Sequence, residues 1–291
     1  MIKYLKMEIK GTTKITGVFG YPVKHSLSPI FQNAAFEYLG LDYVYIPLEV
    51  KPEDLKHAVE SIRIFKWIGV NVTIPHKKQI IKYLDELDKI SEILDVVNTI
   101  HNISGKLKGY TTDGDGFIKS LKEDGKFSPK EKNIFLLGAG GSAYAICGAL
   151  INEKVNSIFI TNRTLENAVK LKNHLMEKLK FKNIEIIEFE KRNDKKIWQN
   201  IDLLINTTSI GMRENDPLLI EKNNIEKVKF VYDIVYNRKT ELLKSAEELK
   251  IPNLDGISML VYQGAISFEI WTGEKAPIDI MKKAIYEKIK N

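Results

Sequence analysis

Two periodicities alternate along this chain. Short runs rich in β-branched and aromatic residues, Ile15-Thr16-Gly17-Val18-Phe19, Tyr43-Val44-Tyr45-Ile46-Pro47-Leu48 and Ile68-Gly69-Val70-Asn71-Val72, predict strands. Between them, apolar residues return at helical spacing. Leu55, Val59, Ile62 and Phe65 share one face of a helix predicted over 52–65. Another helix is expected to start with Ser28 as its cap and Pro29 at its first position, and to end at Gly40. Val96 to Ile103 and Lys106 to Thr111 flank the turn Ser104-Gly105.

A polar stretch punctuated by Gly125 and Pro129 reads as a linker region. A second series follows, with strands predicted at 134–137, 157–161, 184–187, 203–206 and 230–234. The lysine-dense segment from Lys178 to Lys196 reads as a solvated helix end and loop, and the chain after Gly256 reads as helical. Strands alternating with helices predict an α/β class of two domains, each built on an open, mostly parallel sheet.

The charge balance narrows the partners. The formal net charge is +6, but Lys and Glu are interleaved and no basic stripe carries stacking aromatics, so a nucleic-acid partner is not expected. A positive field of this kind attracts small anions, such as a carboxylate or a phosphorylated cofactor. No apolar run approaches a membrane span, and Met1–Met7 is too polar for a signal peptide, with Met7 a second possible start. A cytoplasmic location is expected. The single cysteine, Cys147, lies in an apolar run and reads as a small buried hydrophobe. The five histidines have no metal-ligand spacing, so no metal is expected.

One strand runs directly into a glycine loop. Ile134–Leu137 precedes Gly138-Ala139-Gly140-Gly141-Ser142-Ala143, and an apolar helix follows. This is a G-x-G-x-x-A pattern in the strand–turn–helix context that dinucleotide binding requires. Gly138 allows the tight turn, Gly140 a close approach of backbone to pyrophosphate, and Ala143 close packing of helix on sheet. The next strand ends in Asn162-Arg163-Thr164, with no acid before Glu166. An acid there would hold a ribose 2′-hydroxyl, whereas Arg163 suits a 2′-phosphate, so NADP is expected over NAD.

Three polar clusters are hard to explain as packing. They are Gly20-Tyr21-Pro22-Val23-Lys24-His25-Ser26-Leu27-Ser28-Pro29, Asn71-Val72-Thr73-Ile74-Pro75-His76-Lys77, and Val97-Asn98-Thr99 with Thr111-Thr112-Asp113-Gly114. With the glycine loop, Asn162-Arg163-Thr164, the segment Asn206 to Met212, Asp233 to Asn237 and Gly256 to Gln263, they resemble the shikimate dehydrogenase family in order along nearly the whole chain. Thr111 stands where that family usually has Asn, and Asn167 where many NADP-using members have a second basic residue.

The resemblance implies a substrate-binding domain of 1–112 plus 256–291, to which the C-terminal helices return, and a Rossmann-type NADP-binding domain of 113–255. It also implies NADPH-dependent, reversible reduction of 3-dehydroshikimate to shikimate, in the cleft between the two domains. Ser26, Ser28 and Tyr236 would hold the substrate carboxylate, and Thr73, Asn98, Asp113 and Gln263 its hydroxyls. Lys77 and Asp113 would form the catalytic pair. Gly138 to Ala143, Asn162, Arg163, Thr164 and Thr207 would hold the cofactor, with Met212, Gly256 and Met259 on the nicotinamide side. The expected partner is the small-molecule substrate, and the chain a monomer or homodimer. A dual-specificity quinate/shikimate dehydrogenase and a non-catalytic shikimate-binding sensor stay open as alternatives. The presence of both Lys77 and Asp113 favours an enzyme.

Overall fold

The computed structural model describes residues 8–290. Met1–Met7, read above as no signal peptide, lies outside the described residues. The chain divides into two compact units, Met1–Thr112 with Val261–Asn291, and Asp113–Leu260. The second junction, expected at 256, falls after Leu260.

The first unit opens with β1 (Lys14–Gly20), α1 (Ser28–Tyr38), β2 (Tyr43–Glu49), α2 (Leu55–Ile64) and β3 (Gly69–Val72). It continues through β4 (Glu86–Leu87), α3 (Lys89–Leu94), β5 (Thr99–Ile103) and β6 (Lys106–Tyr110). The sheet order is β2-β1-β3-β5-β6-β4. β2 and β3 pair parallel with β1, and β4 pairs parallel with β6. β5 runs antiparallel to both β3 and β6, so the sheet is mixed and a hairpin forms its far side.

The second unit contains α4 (Asp113–Glu123), β7 (Asn133–Leu137), α5 (Gly141–Asn152), β8 (Ser157–Thr161), α6 (Leu165–Leu179) and β9 (Ile184–Ile187). After them come β10 (Leu203–Asn206), β11 (Phe230–Asp233), α7 (Glu241–Glu248) and β12 (Asn253–Leu254). All pairings in its sheet, ordered β12-β11-β10-β7-β8-β9, are parallel. This is the doubly wound arrangement, with the crossover reversing at β7. The stretch expected as a linker lies inside this unit instead and is anchored to its core. Phe127 lies 5.2 Å from the Phe230 ring, and a Cβ at Gly125 would stand 2.8 Å from Phe230. The short polar run therefore turns the chain inside the unit. Cys147 is fully buried, and burial pushes its thiol far up, as suits an inert packing residue.

Two helices end the chain, α8 (Ile257–Thr272) and α9 (Ile278–Lys290). From Val261 on they belong to the first unit. Phe268 of α8 and Tyr43 of β2 both stack on Phe36 of α1, each with ring centroids 5.1 Å apart. Trp271 donates its Nε1–H to the Ile100 carbonyl of β5 at 2.9 Å. Each such buried aromatic stabilises by about 1.5–3 kcal/mol, which fixes α8 and therefore Gln263 on the sheet.

Candidate active site

In the first unit, strand directions place four chain segments on one edge of the sheet. β1 and β3 end together, with Phe19 opposite Val72. β5 is antiparallel to β3 and so begins there, with Thr99 opposite Asn71. β6 ends there, with Tyr110 opposite Thr99. The loops carrying Ser26 and Ser28, Thr73 and Lys77, Asn98, and Thr111-Thr112 therefore leave a common edge, where open α/β sheets bind ligands.

Gly20 and Thr73 interlock the first two loops. A Cβ at Gly20 would sit 2.4 Å from Thr73 Cγ2, so the threonine methyl occupies the glycine's face and its hydroxyl is turned elsewhere. Thr73 N–H donates to the Phe19 carbonyl and Tyr21 N–H to the Ile74 carbonyl, each at 2.9 Å. Ser28 was expected to cap α1, but Leu27 occupies the cap position and Ser28 is the first helical residue. Its hydroxyl therefore does no capping. Ser26 Oγ accepts from Ser28 N–H at 3.3 Å.

Lys77 is half-buried, and its carbonyl accepts from Val97 N–H at 2.9 Å. This ties its backbone to the residue before Asn98. The His76 ring, buried beside it, bonds the Val50 carbonyl at 2.7 Å. Asn98 is the centre of a buried polar network. Its Nδ2 donates to Thr112 Oγ1 at 2.9 Å and to Gln263 Oε1 at 3.1 Å, and its Oδ1 accepts from Thr112 N–H at 2.7 Å. Beneath it, Asn71 Nδ2 donates to the Asn98 carbonyl, Thr99 Oγ1 and Ser267 Oγ, within 3.1 Å, and Asn71 Oδ1 accepts from Tyr45 OH at 2.8 Å. Asn71, Tyr45 and Ser267 carried no expected role. Only the fold shows that they hold Asn98 and Gln263 in place. The Thr111 hydroxyl, where Asn was usual, is buried without a partner.

In the second unit, Thr161, Leu137, Asn206 and Asp233 form one row across the strand ends. Gly138 follows at φ 105°, where L side chains are strained. A Cβ there would also meet Thr207 Oγ1 at 2.7 Å. Thr207 is fixed by its own Oγ1, which donates to the Leu137 carbonyl at 2.7 Å. Gly140 caps α5 with extended backbone, so no cap side chain covers the helix N-terminus, and a Cβ there would meet nothing within 4 Å. Ala143 is fully buried; Ala139, Gly141 and Ser142 are half-exposed. A bare glycine turn at a helix N-terminus fits a pyrophosphate.

At the end of β8, Asn162 Nδ2 donates to the Thr164 carbonyl at 2.8 Å, shaping the turn that carries the exposed Arg163. Asp113 is buried at the start of α4. Tyr236 is half-buried, and burial raises its hydroxyl pKa, which keeps it a neutral donor. Met212 is exposed and its carbonyl accepts from Asn237 Nδ2 at 3.0 Å. Gly256 N–H donates to the Val235 carbonyl at 3.1 Å, and Met259 is buried. Among the described residues no cluster of three His, Cys, Asp or Glu could hold a metal, and no helix is long and apolar enough to cross a membrane.

A shikimate dehydrogenase (NADP(+)) of Methanocaldococcus jannaschii is 42% identical over 285 residues, covering 97% of this chain and 99% of its own. The chain belongs to the shikimate dehydrogenase family. The family's substrate binding domain model matches residues 18–100, its shikimate/quinate 5-dehydrogenase model residues 121–258, and its C-terminal domain model residues 256–286. A shikimate dehydrogenase solved in complex with NADP+ is 40% identical, with a TM-score of 0.92 and 99% of both chains covered. A shikimate 5-dehydrogenase from Listeria monocytogenes, solved with shikimate and NAD, is 37% identical. Its TM-score is 0.87, with 96% of this chain and 98% of that one covered. The edge that gathers Ser26 to Asn98 lies within the match to the family's substrate binding domain.

Proposed function

We propose that this chain is an NADP-dependent shikimate dehydrogenase that reversibly reduces 3-dehydroshikimate to shikimate. The observation that carries this reading is the Asn98 network. That network lies on the sheet edge shared with the Ser26–Ser28 and Thr73–Lys77 loops, whose serine, threonine and lysine side chains suit several hydroxyls and one carboxylate.

NADPH, when bound, supplies the hydride. Gly138 to Ala143 and Thr207 are assigned to its pyrophosphate, Asn162, Arg163 and Thr164 to its 2′-phosphate end, and Met212, Gly256 and Met259 to its nicotinamide side. Ser26, Ser28 and Tyr236 donate to the substrate carboxylate, and Thr73, Asn98, Asp113 and Gln263 orient the ring hydroxyls. As the carbonyl carbon is reduced, negative charge grows on the ketone oxygen. The Lys77 ammonium opposes that charge and gives its proton to the oxygen, completing the alcohol. Asp113 accepts from a ring hydroxyl and works with Lys77 as one unit.

Purified protein should oxidise NADPH with 3-dehydroshikimate far faster than with 3-dehydroquinate, and faster than it oxidises NADH. Comparable kcat/KM for the two ring acids would replace this reading with a dual-specificity enzyme. Binding of shikimate without turnover would replace it with a sensor.

A further inference from the structure

Asp233 ends β11 with its carboxylate fully buried, and among the described residues no lysine or arginine pairs with it. Three donors surround it instead. Asn206 Nδ2 and Val235 N–H donate to Oδ1 at 2.9 and 3.0 Å, and Thr240 Oγ1 to Oδ2 at 2.7 Å. They come from three segments: the end of β10, the loop after β11, and the cap of α7. Each partner passes the constraint on. Asn206 Nδ2 also donates to the Ile210 carbonyl at 3.1 Å, and its Oδ1 accepts from Thr208 N–H at 2.9 Å and Thr208 Oγ1 at 2.7 Å. The Thr240 methyl lies 2.7 Å from where a Cβ would stand on Gly211, at φ 104°. The Asp233 carboxylate thus helps set the course of two loops, 207–212 and 234–240, the first of which is also held where Gly211 and Arg213 N–H donate to Asp216 Oδ2 at 2.8 and 3.0 Å.

The arrangement works against fold stability. Burial pushes the Asp233 carboxyl up to about 6, despite its three hydrogen bonds, with Asp255 adding to the rise. A group whose pKa rises on folding contributes stability that is fully present below its unfolded value and is lost as pH rises through the folded value. Between the ordinary carboxylate range and about 6 that contribution disappears, so at pH 8 the charged side chain is a net cost. The other titratable groups around it are Arg213, Asp216, Arg238 and Glu241, which line the same small cavity.

We propose that Asp233 is a positioning residue, whose carboxylate locks the loops bearing Thr207–Met212 and Tyr236 in the form that receives the cofactor. This rests on the NADP-dependent reading above. A residue kept for position rather than stability should separate the two properties when changed. Asp233→Asn keeps the shape. Its amide oxygen satisfies the two donors at Oδ1, while its nitrogen faces Thr240, which can then no longer donate. The test uses the full-length chain, with NADPH binding followed by fluorescence titration at pH 8 and thermal midpoints measured from pH 5 to 8. Asp233→Asn should weaken NADPH binding about tenfold, the size expected when charge-assisted bonds become neutral ones. Its midpoint at pH 8 should be at or above wild type, with the gain shrinking as pH falls below 6. Thr240→Val should also weaken binding, and Thr240→Ser should stay near wild type. Unchanged NADPH affinity in Asp233→Asn, or affinity and midpoint falling together, would overturn the assignment. Wild type that binds NADPH without reducing 3-dehydroshikimate would refute the activity alone and leave this titration decisive. Wild type that binds no NADPH would overturn both.

Discussion

Ser28 shows how a single residue can be read two ways until the backbone is known. Serine before proline at a helix start reads as a cap, and a cap replaced by alanine costs about 1 kcal/mol of stability. Here Leu27 takes that position, which leaves the Ser28 hydroxyl available for the proposed carboxylate contact. Ser28→Ala should therefore leave the melting midpoint unchanged while lowering kcat/KM for shikimate by about 10- to 100-fold, the value of a hydrogen bond to a carboxylate. A drop in midpoint with intact kinetics would return Ser28 to capping. Lys77, Asp113, Asn98 and Arg163 could be singled out as candidates because each sits in a local motif. Asn71 was not legible as a hub, because its partner Ser267 is 196 residues away in the chain. Asp233 was hidden for a similar reason: an acid at a strand end resembles any turn residue until Asn206, Val235 and Thr240 converge on it.

Among the elements, strands with a continuous apolar core face were readable, and their ends came within a residue or two. The expected 134–137 and 157–161 correspond to β7 and β8. The segment from Val96 divides differently, since Val97 and Asn98 bond to Lys77 and Tyr110 before β5 starts at Thr99. β4 has two residues and α3 six, too short for a period to show. Strand direction was the largest omission. Neither β-propensity nor spacing reveals that β5 pairs antiparallel with β3, yet that reversal brings Asn98 to the edge shared with Thr73. The glycine turn offers a test at this scale, because two of its glycines are required for different reasons. Gly138→Ala meets Thr207 and adopts a strained φ, so it should lower both the melting midpoint and NADPH affinity. Gly140→Ala meets no protein atom within 4 Å and has extended backbone. It should keep the wild-type midpoint and lose at least about tenfold in NADPH affinity, or roughly 1.4 kcal/mol. Wild-type affinity in Gly140→Ala would show that no ligand backbone approach occurs there.

For the whole molecule, the charge is the property most directly available from sequence, and it has a kinetic consequence. The formal net charge is +6, while the proposed ligands, NADPH and a ring carboxylate, are both anions. A net positive field raises the encounter rate of anions, and salt screens it with a Debye length of about 10 Å at 0.1 M. kcat/KM should therefore fall as potassium chloride rises from about 20 to 500 mM, where screening shortens the field's reach several-fold. The fall should be steeper for NADPH, with its several phosphate charges, than for 3-dehydroshikimate, with one. Local pairing of Arg163 with a 2′-phosphate also weakens in salt, so NADH is the necessary comparison. It lacks that phosphate but keeps the pyrophosphate, and a salt effect that persists with NADH belongs to the global field. An effect present with NADPH and absent with NADH would place the electrostatics in Arg163 alone. Flat profiles for all three ligands would mean that the interleaved lysines and glutamates cancel at the site, making the net charge a matter of solubility rather than of catalysis.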